Sequence, residues 1–282
     1  MARYAIISDI HANKEALDLI FKDIEKRNCD KIICLGDLVT KYYYPAEVVD
    51  AIRANSDIVI KGNCDNLVAT NPNYKWARGK LGLERLEYLD NLPLKEQIEI
   101  NKVLINLYHS TPESLEQMFN PLFTHNDKTP YKDRTLPTNE YNKMFIGDTP
   151  QVSFVGHTHQ DYVSVENDNK LDIVNSPITL TNQDKAIINV GSIGEHNHMK
   201  LNENGVYVPT IDPYLTYAII DSKANENSIN VEIVRVPYTE TLKSVYFDML
   251  KKKEDGTAPV FSDDLNKVIT SLEEMNQLPK LK

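Results

Sequence analysis

The sequence predicts an α/β fold, because short apolar runs alternate with amphipathic helical patterns and each run empties into a turn of polar, ligand-type residues. Three times near the N-terminus a strand pattern delivers such residues from its C-terminal end, at Asp9-Ile10-His11, Gly36-Asp37 and Gly62-Asn63. That edge of an α/β sheet is where sites are built.

Arg3 to Ser8 reads as a buried strand, and Asn13 as the cap of a helix whose inner face is Ala16, Leu17, Ile20, Phe21 and Ile24. Lys31 to Leu35 is a second strand. Pro45 suits the first turn of a helix presenting Val48, Val49 and Ile52, and Asp57 to Ile60 is a third strand. Another helical face runs from Gly79 to Leu89. Gln97 to Ile100 and Val103 to Leu107 form a hairpin across Asn101-Lys102 and lead into Tyr108-His109-Ser110. Thr111 and Pro112 predict the cap and first turn of a short helix holding Leu115, Met118 and Phe119. Residues 120 to 150 are polar and rich in Pro, Asn, Asp and Lys, an excursion that either covers the site or merely decorates the surface. Strand patterns resume at Gln151 to Val155, Tyr162 to Val165, Leu171 to Val174 and Ala186 to Val190. Thr216 to Asp221 and Ile229 to Val236 read as a closing antiparallel pair. Helical patterns at Thr239 to Lys251 and after a cap at Ser262 finish the chain. The domain reading is a core over 1–236 with a cap or loop insertion at 112–150, and a helical extension over 237–282. No internal repeat is visible.

The 41 acidic and 31 basic residues among 282 give a formal charge of −10, a field that repels nucleic acid and anionic membrane surfaces. A stable nucleic-acid partner is therefore not expected, whereas a phosphorylated small molecule is compatible, because divalent cations in a pocket reverse the local potential. No segment reaches the roughly 20 apolar residues of a membrane span, and the N-terminus lacks a secretory pattern. Cys29, Cys34 and Cys64 form no CxxC pair, which suits a reducing compartment, and a cytoplasmic location is expected.

Five clusters share one grammar: Asp9/His11, Asp37, Asn63, His109 and His157/His159, each just after a predicted strand. Residues i and i+2 of a strand share a face, so each Asp-x-His or His-x-His pair presents two ligands together if extended geometry persists through the turn. Imidazole nitrogen with carboxylate oxygen suits manganese, iron, zinc, nickel or cobalt. Singly, each cluster is an ordinary cap or turn. Independent turns have no reason to repeat that composition in that order.

The order Asp9-Ile10-His11, Gly36-Asp37, Gly62-Asn63-Cys64-Asp65, His109 and Gly156-His157-Thr158-His159 resembles the calcineurin-like metallophosphoesterase superfamily over residues 4 to about 194. The resemblance implies two mixed β-sheets packed as a sandwich and flanked by helices, a four-layer arrangement that some schemes class as α+β. It implies two divalent ions, manganese and/or iron foremost, the first held by Asp9, His11, Asp37 and His159 and the second by Asp37, Asn63, His109 and His157. Asp37, Asn63, Cys64 and Asp65 are the implied catalytic residues. Cys64 stands where many members carry a histidine, Ser110 replaces a frequent glycine, and Asn189-Val190-Gly191-Ser192-Ile193-Gly194 lacks the proline of the related turn. Glu195, His196 and His198 read as local cap or surface residues, since the ligand shell is complete without them.

The expected chemistry is direct attack at phosphorus by a hydroxide that bridges two ions roughly 3.5–4 Å apart. The Gly-Asn-Cys-Asp form resembles the prokaryotic branch of small phosphodiesterases and diadenosine tetraphosphate hydrolases, so asymmetric cleavage of that dinucleotide to ATP and AMP is the expected activity, with broader phosphodiesterase activity beside it. Tyr131, Tyr141, Phe145, Lys128, Lys132 and Arg134 are candidates for base and polyphosphate contacts, the alternative being aromatics that pack the cap and lysines that face solvent. The alternatives are a phosphodiesterase or phosphomonoesterase on another small substrate, or a noncatalytic metal-dependent phosphate sensor. Oligomeric state is left open.

Overall fold

Alternation within β1 (Arg3–Ile7) sends Ala5 and Ile7 to one face and Ile6 to the other, and both faces are buried. A strand of that kind belongs in the middle of a sheet. In the computed structural model, which describes residues 2–123, 128–129, 131–195, 197–203, 205–211, 213–225 and 227–238, β1 pairs in parallel with β2 (Lys31–Cys34) and antiparallel with β13 (Tyr214–Asn225). Beyond β2 lies β3 (Ile58–Val59), and beyond β13 lie β14 (Ser228–Pro237) and then β9 (Ile178–Thr181). The second six-stranded sheet runs, in spatial order, β4 (Lys95–Ile100), β5 (Val103–Tyr108), β6 (Val152–Val155), β10 (Ala186–Asn189), β7 (Tyr162–Asn167) and β8 (Lys170–Val174). A separate hairpin joins β11 (Asn197–Leu201) to β12 (Tyr207–Ile211).

The two mixed sheets pack face to face through Ile6, Ile33, Leu35, Ile105, Leu107, Phe154 and Ile188. On the outer face of the first sheet lie α1 (Lys14–Lys26), α2 (Pro45–Asn55) and α4 (Lys75–Asp90), whose Leu17, Ile20, Val48, Ile52 and Leu86 cover Ala5, Ile7, Tyr217 and Ile219. The outer face of the second sheet is covered by the 112–150 excursion. Its Phe119, Leu136, Tyr141, Met144 and Phe145 bury Tyr108, Val155, Tyr162 and Ile187, with short 3-10 turns at Lys132–Arg134 and Thr138–Met144. The expected sandwich with flanking helices is the observed architecture. The helical patterns expected at Thr239 to Lys251 and after Ser262 lie outside the described residues.

Asn13 caps α1, its Oδ1 accepting from Ala16 N at 3.2 Å, and the same oxygen accepts from the Tyr238 hydroxyl while Nδ2 donates to Gly194 O. Asn13→Ala is expected to cost about 1–2 kcal/mol, the loss of a cap, which urea unfolding reads directly.

Two local expectations differ from the structure. The helix expected after Thr111 is absent: Met118 instead exchanges backbone hydrogen bonds with the neighbouring segment, donating to Arg134 O and accepting from Leu136 N. Pairing with a chain segment distant in sequence outweighs the local capping pattern. Conversely, the Gly62-Asn63 turn opens a helix, α3 (Asn63–Thr70), because Asp65 reaches back to accept from Gly62 N at 2.9 Å.

Candidate metal centre

The loops after β1 and β2 are zipped together by backbone bonds, Asp9 N to Gly36 O, His11 N to Asp37 O and Ala12 N to Leu38 O, at 2.8–3.0 Å. The extended geometry expected through these turns does not persist. Asp9, His11, Asp37, His157 and His159 all have positive φ, between 52° and 66°, so each ligand pair converges because the backbone coils left-handed. Non-glycine residues adopt that conformation at a cost of about 1–3 kcal/mol each, a strain that collects at functional sites. Close approach is secured by glycine. A Cβ on Gly36, whose φ is +99°, would lie 2.3 Å from Gly62 N, and one on Gly156 would lie 2.4 Å from Asp9 Oδ2 and 2.1 Å from Ser8 Oγ. Gly156→Ala is therefore expected to displace Asp9 and weaken binding of Mn2+ at least about tenfold, read by calorimetric titration, with the sheets intact.

The side chains converge from five loops. His11 Nε2 lies 3.0 Å from His159 Nε2, which is 3.2 Å from Asp9 Oδ1, and the two rings stand edge to face at 5.0 Å. His11 Nε2 is also 3.8 Å from Asp37 Oδ2. On the other side of Asp37, His109 Nε2 lies 3.5 Å from Asp37 Oδ1 and 3.0 Å from Asn63 Oδ1, with the His157 ring 5.1 Å away. Among the described residues, three groups place ligand atoms within 4.8 Å of one another: Asp9, His11 and His159; His11, Asp37 and Cys64; and Asp9, Asp37 and His109. These are adjacent candidate clusters sharing Asp9, His11 and Asp37.

Outer partners aim the ligands. His109 Nδ1 meets Leu35 O at 2.9 Å, which puts the proton there and turns the Nε2 lone pair toward Asn63 and Asp37. His157 is held by the backbone of Glu116, in the excursion, and its own N–H donates to Asp9 Oδ2 at 3.0 Å. Asp65, expected to be catalytic, has its carboxylate occupied by Asp37 N, Leu38 N and Gly62 N at 2.8–2.9 Å. It clamps the loops that carry Asp37 and Asn63. Cys64 N donates to Asp37 Oδ1 at 2.8 Å from the first turn of α3, where the helix dipole favours a carboxylate.

Burial opposes ionisation of Asp9, but His159, His109 and His11 outweigh it and hold the carboxyl well below its ordinary range. For Asp37 burial dominates, and with the neighbouring Asp9 charge it pushes the group up against the pull of His109. Burial and then Lys41 drive His11 down, and burial with His109 takes His157 down to about 3, so both present neutral imidazole. Burial works against charged His109 too, but Asp37 and Asp9 prevail and raise it. Burial and Asp37 push the Cys64 thiol well above its usual value.

The residues fit divalent cations. Asp9 Oδ1 and His157 Nε2 are buried without a hydrogen-bond partner, and His109 Nε2 and Asn63 Oδ1 meet at 3.0 Å beside them. A bound cation would satisfy the orphaned atoms, and imidazole nitrogen with carboxylate and amide oxygen is a donor set that suits one.

Three neighbours were invisible in the sequence pattern. Glu195, read there as a cap or surface residue, has Oε2 3.2 Å from His159 Nδ1 and is ion-paired with Lys41, and Thr40 Oγ1 lies 3.3 Å from His11 Nδ1. The available signal was position alone, Glu195 directly after Gly191-Ser192-Ile193-Gly194 and Thr40-Lys41 in the loop that follows Gly36-Asp37. His196 lies outside the described residues, and only the backbone of His198, in β11, is described. Of the aromatic candidates, Tyr141 and Phe145 follow the packing alternative: they are buried in the excursion's own core, Tyr141 donating to Glu166 Oε1 at 2.6 Å, and Arg134 pairs with Glu116. Tyr131 alone of the three aromatics is exposed, at 60%.

A family model described as the calcineurin-like phosphoesterase superfamily domain matches residues 3–208. The chain is 31% identical over 262 residues to the uncharacterized protein MJ0912 of Methanocaldococcus jannaschii, covering 88% of this chain and 92% of that one. Its fold is similar to the crystal structure of a metallophosphoesterase from Sphaerobacter thermophilus, with a TM-score of 0.63, 24% identity, and 96% and 98% of the two chains covered. It is likewise similar to the hypothetical protein PH1004 from Pyrococcus horikoshii, with a TM-score of 0.59, 19% identity, and 90% and 94% covered.

Proposed function

The chain belongs to the calcineurin-like phosphoesterase superfamily and is a metal-dependent hydrolase, and from that premise we propose that it cleaves dinucleoside polyphosphates asymmetrically, diadenosine tetraphosphate to ATP and AMP. The observation that carries the hydrolase reading is the convergence of Asp9, His11, Asp37, His109 and His159 within ligand distance, with Asn63 and His157 beside them. In this reading Asp9, His11, Asp37 and His159 hold one cation, and Asp37, Asn63, His109 and His157 hold the other. The donor set of imidazole, carboxylate and amide oxygen suits manganese and/or iron, with zinc, nickel or cobalt able to substitute. When bound, such a pair supplies an acidified water and neutralises charge developing on phosphoryl oxygens. Asp37 orients the centre, being fixed through its own N–H by Asp65 and through Oδ1 by Cys64 N. In this reading Cys64, a neutral thiol near Asp37 and His11, or a water gives a proton to the departing oxygen.

The substrate choice rests on the Gly62-Asn63-Cys64-Asp65 form. Burial of Tyr141 and Phe145 favours a second reading, a small phosphodiester with no base to stack on those rings. Among the described residues no helix is long and apolar enough to cross a membrane, and Cys29, Cys34 and Cys64 are free thiols, which suits work in the cytoplasm. The test is a product panel with the Mn2+-loaded enzyme. Equal ATP and AMP from diadenosine tetraphosphate is the expected result. Two ADP, or cleavage of an aryl phosphodiester with the dinucleotide untouched, overturns the substrate assignment. Release of phosphate from a phosphoserine peptide alone does so as well.

A further inference from the structure

Glu195 stands outside the ligand set, yet it is built into the site. Ser192 Oγ donates to Asp9 O at 2.9 Å and accepts from Gly194 N and Glu195 N at 3.2 and 2.8 Å, so the backbone bearing Glu195 is fastened to the backbone bearing Asp9. The Glu195 side chain is 11% exposed, and Oε2 lies 3.2 Å from His159 Nδ1. The opposite ring nitrogen, Nε2, is the one that faces His11 and Asp9. The same Oε2 also lies 3.8 Å from His11 Nε2, so the carboxylate sits at the rim of the cluster, nearer to His159 Nδ1 than to His11. A carboxylate at Nδ1 favours the proton there and leaves the Nε2 lone pair to a cation. Lys41, from the loop that follows Asp37, ion-pairs with the same Oε2, so a cation holds the carboxylate in place.

We propose that Lys41 and Glu195 form an outer relay that positions His159, Glu195 fixing the Nδ1-protonated tautomer and Lys41 fixing Glu195. The relay rests on the metal-dependent reading above. It contacts no reacting atom, so its effect falls on metal affinity and ring orientation. Loss of an outer partner of a ligating histidine costs roughly 10- to 100-fold in metal affinity.

The full-length chain, stripped with chelator, is titrated with Mn2+ by calorimetry. The His159 tautomer is read in the metal-free protein by 15N chemical shifts, and unfolding temperature is measured beside them. Glu195→Ala should weaken Mn2+ binding roughly 10- to 100-fold and shift His159 away from the Nδ1-protonated form at an unchanged unfolding temperature. Glu195→Gln keeps an acceptor oxygen and should restore most of the affinity. Lys41→Met should fall between them. Wild-type affinity and an unchanged tautomer in Glu195→Ala overturn the relay, and so does equal loss in the Gln and Ala variants. If Glu195→Ala fails to fold, the Gln variant against Lys41→Met decides: the relay requires the Gln variant to bind more tightly. A wild-type chain that binds no Mn2+ refutes the metal-dependent reading itself, and with it the relay.

Discussion

Asp37→Asn is expected to lower turnover and metal occupancy together, by more than the roughly 100-fold that follows loss of an outer-shell partner. Asp37 is 2% exposed, and it is the carboxylate that both sides of the cluster share. Oδ2 lies 3.8 Å from His11 Nε2, while Oδ1 lies 3.5 Å from His109 Nε2 and accepts from Cys64 N. An amide has the same size but carries no charge and offers one acceptor oxygen, so it cannot serve two cations at once. The fold should survive, because the backbone bonds of Asp37, to Asp65 through its N–H and to His11 through its carbonyl, do not use its side chain. Full activity of Asp37→Asn, assayed with Mn2+ supplied, would remove Asp37 from the proposed bridging role.

Asp65→Ala should behave in the opposite way, damaging stability first and activity as a consequence. Its carboxylate takes three buried backbone N–H groups from two loops, and alanine leaves all of them without an acceptor. At about 1–3 kcal/mol for each orphaned donor, the loss is about 3 kcal/mol or more. In a chain of this size that corresponds to a fall of roughly 6–12 °C in unfolding temperature. Burial and the Asp37 charge push the Asp65 carboxyl up to about 7, yet N–H donors on both oxygens call for the carboxylate form. A calorimetric scan of the metal-free variant checks the prediction. An unchanged unfolding temperature combined with lost turnover would assign Asp65 to the chemistry instead of the clamp.

Much of the fold was legible because local rules and tertiary structure agree. The apolar runs that became β1, β2, β5, β6 and β10 are buried on both faces, and Asn13 caps the helix its sequence announced. The residues that converge at the candidate centre were legible because each follows a strand run, Asn63 after the short β3 and the others after β1, β2, β5 and β6. Geometry within the turns was not. The positive φ of Asp9 and His157 comes from neighbouring loops that fix the backbone, and nothing in an Asp-Ile-His or His-Thr-His string encodes it. The short β9, with Thr at alternate positions, carries too weak an apolar pattern to read as a strand, and its place beside β14 is a matter of topology. The excursion stayed open between two readings because its aromatics sit in a polar stretch: Tyr141 and Phe145 could serve a ligand or pack the cap, and only the structure shows that the outer face of the second sheet needed covering. Glu195 and Lys41 were missed for a related reason, since they meet across a separation of 154 positions that no local pattern spans.

The most direct measurement is anomalous diffraction from crystals of the full chain grown with Mn2+. Two peaks are expected, one among Asp9, His11, Asp37 and His159 and one among Asp37, Asn63, His109 and His157, with Asp37 between them. A single peak, or peaks at other side chains with this cluster vacant, would contradict a shared two-cation centre.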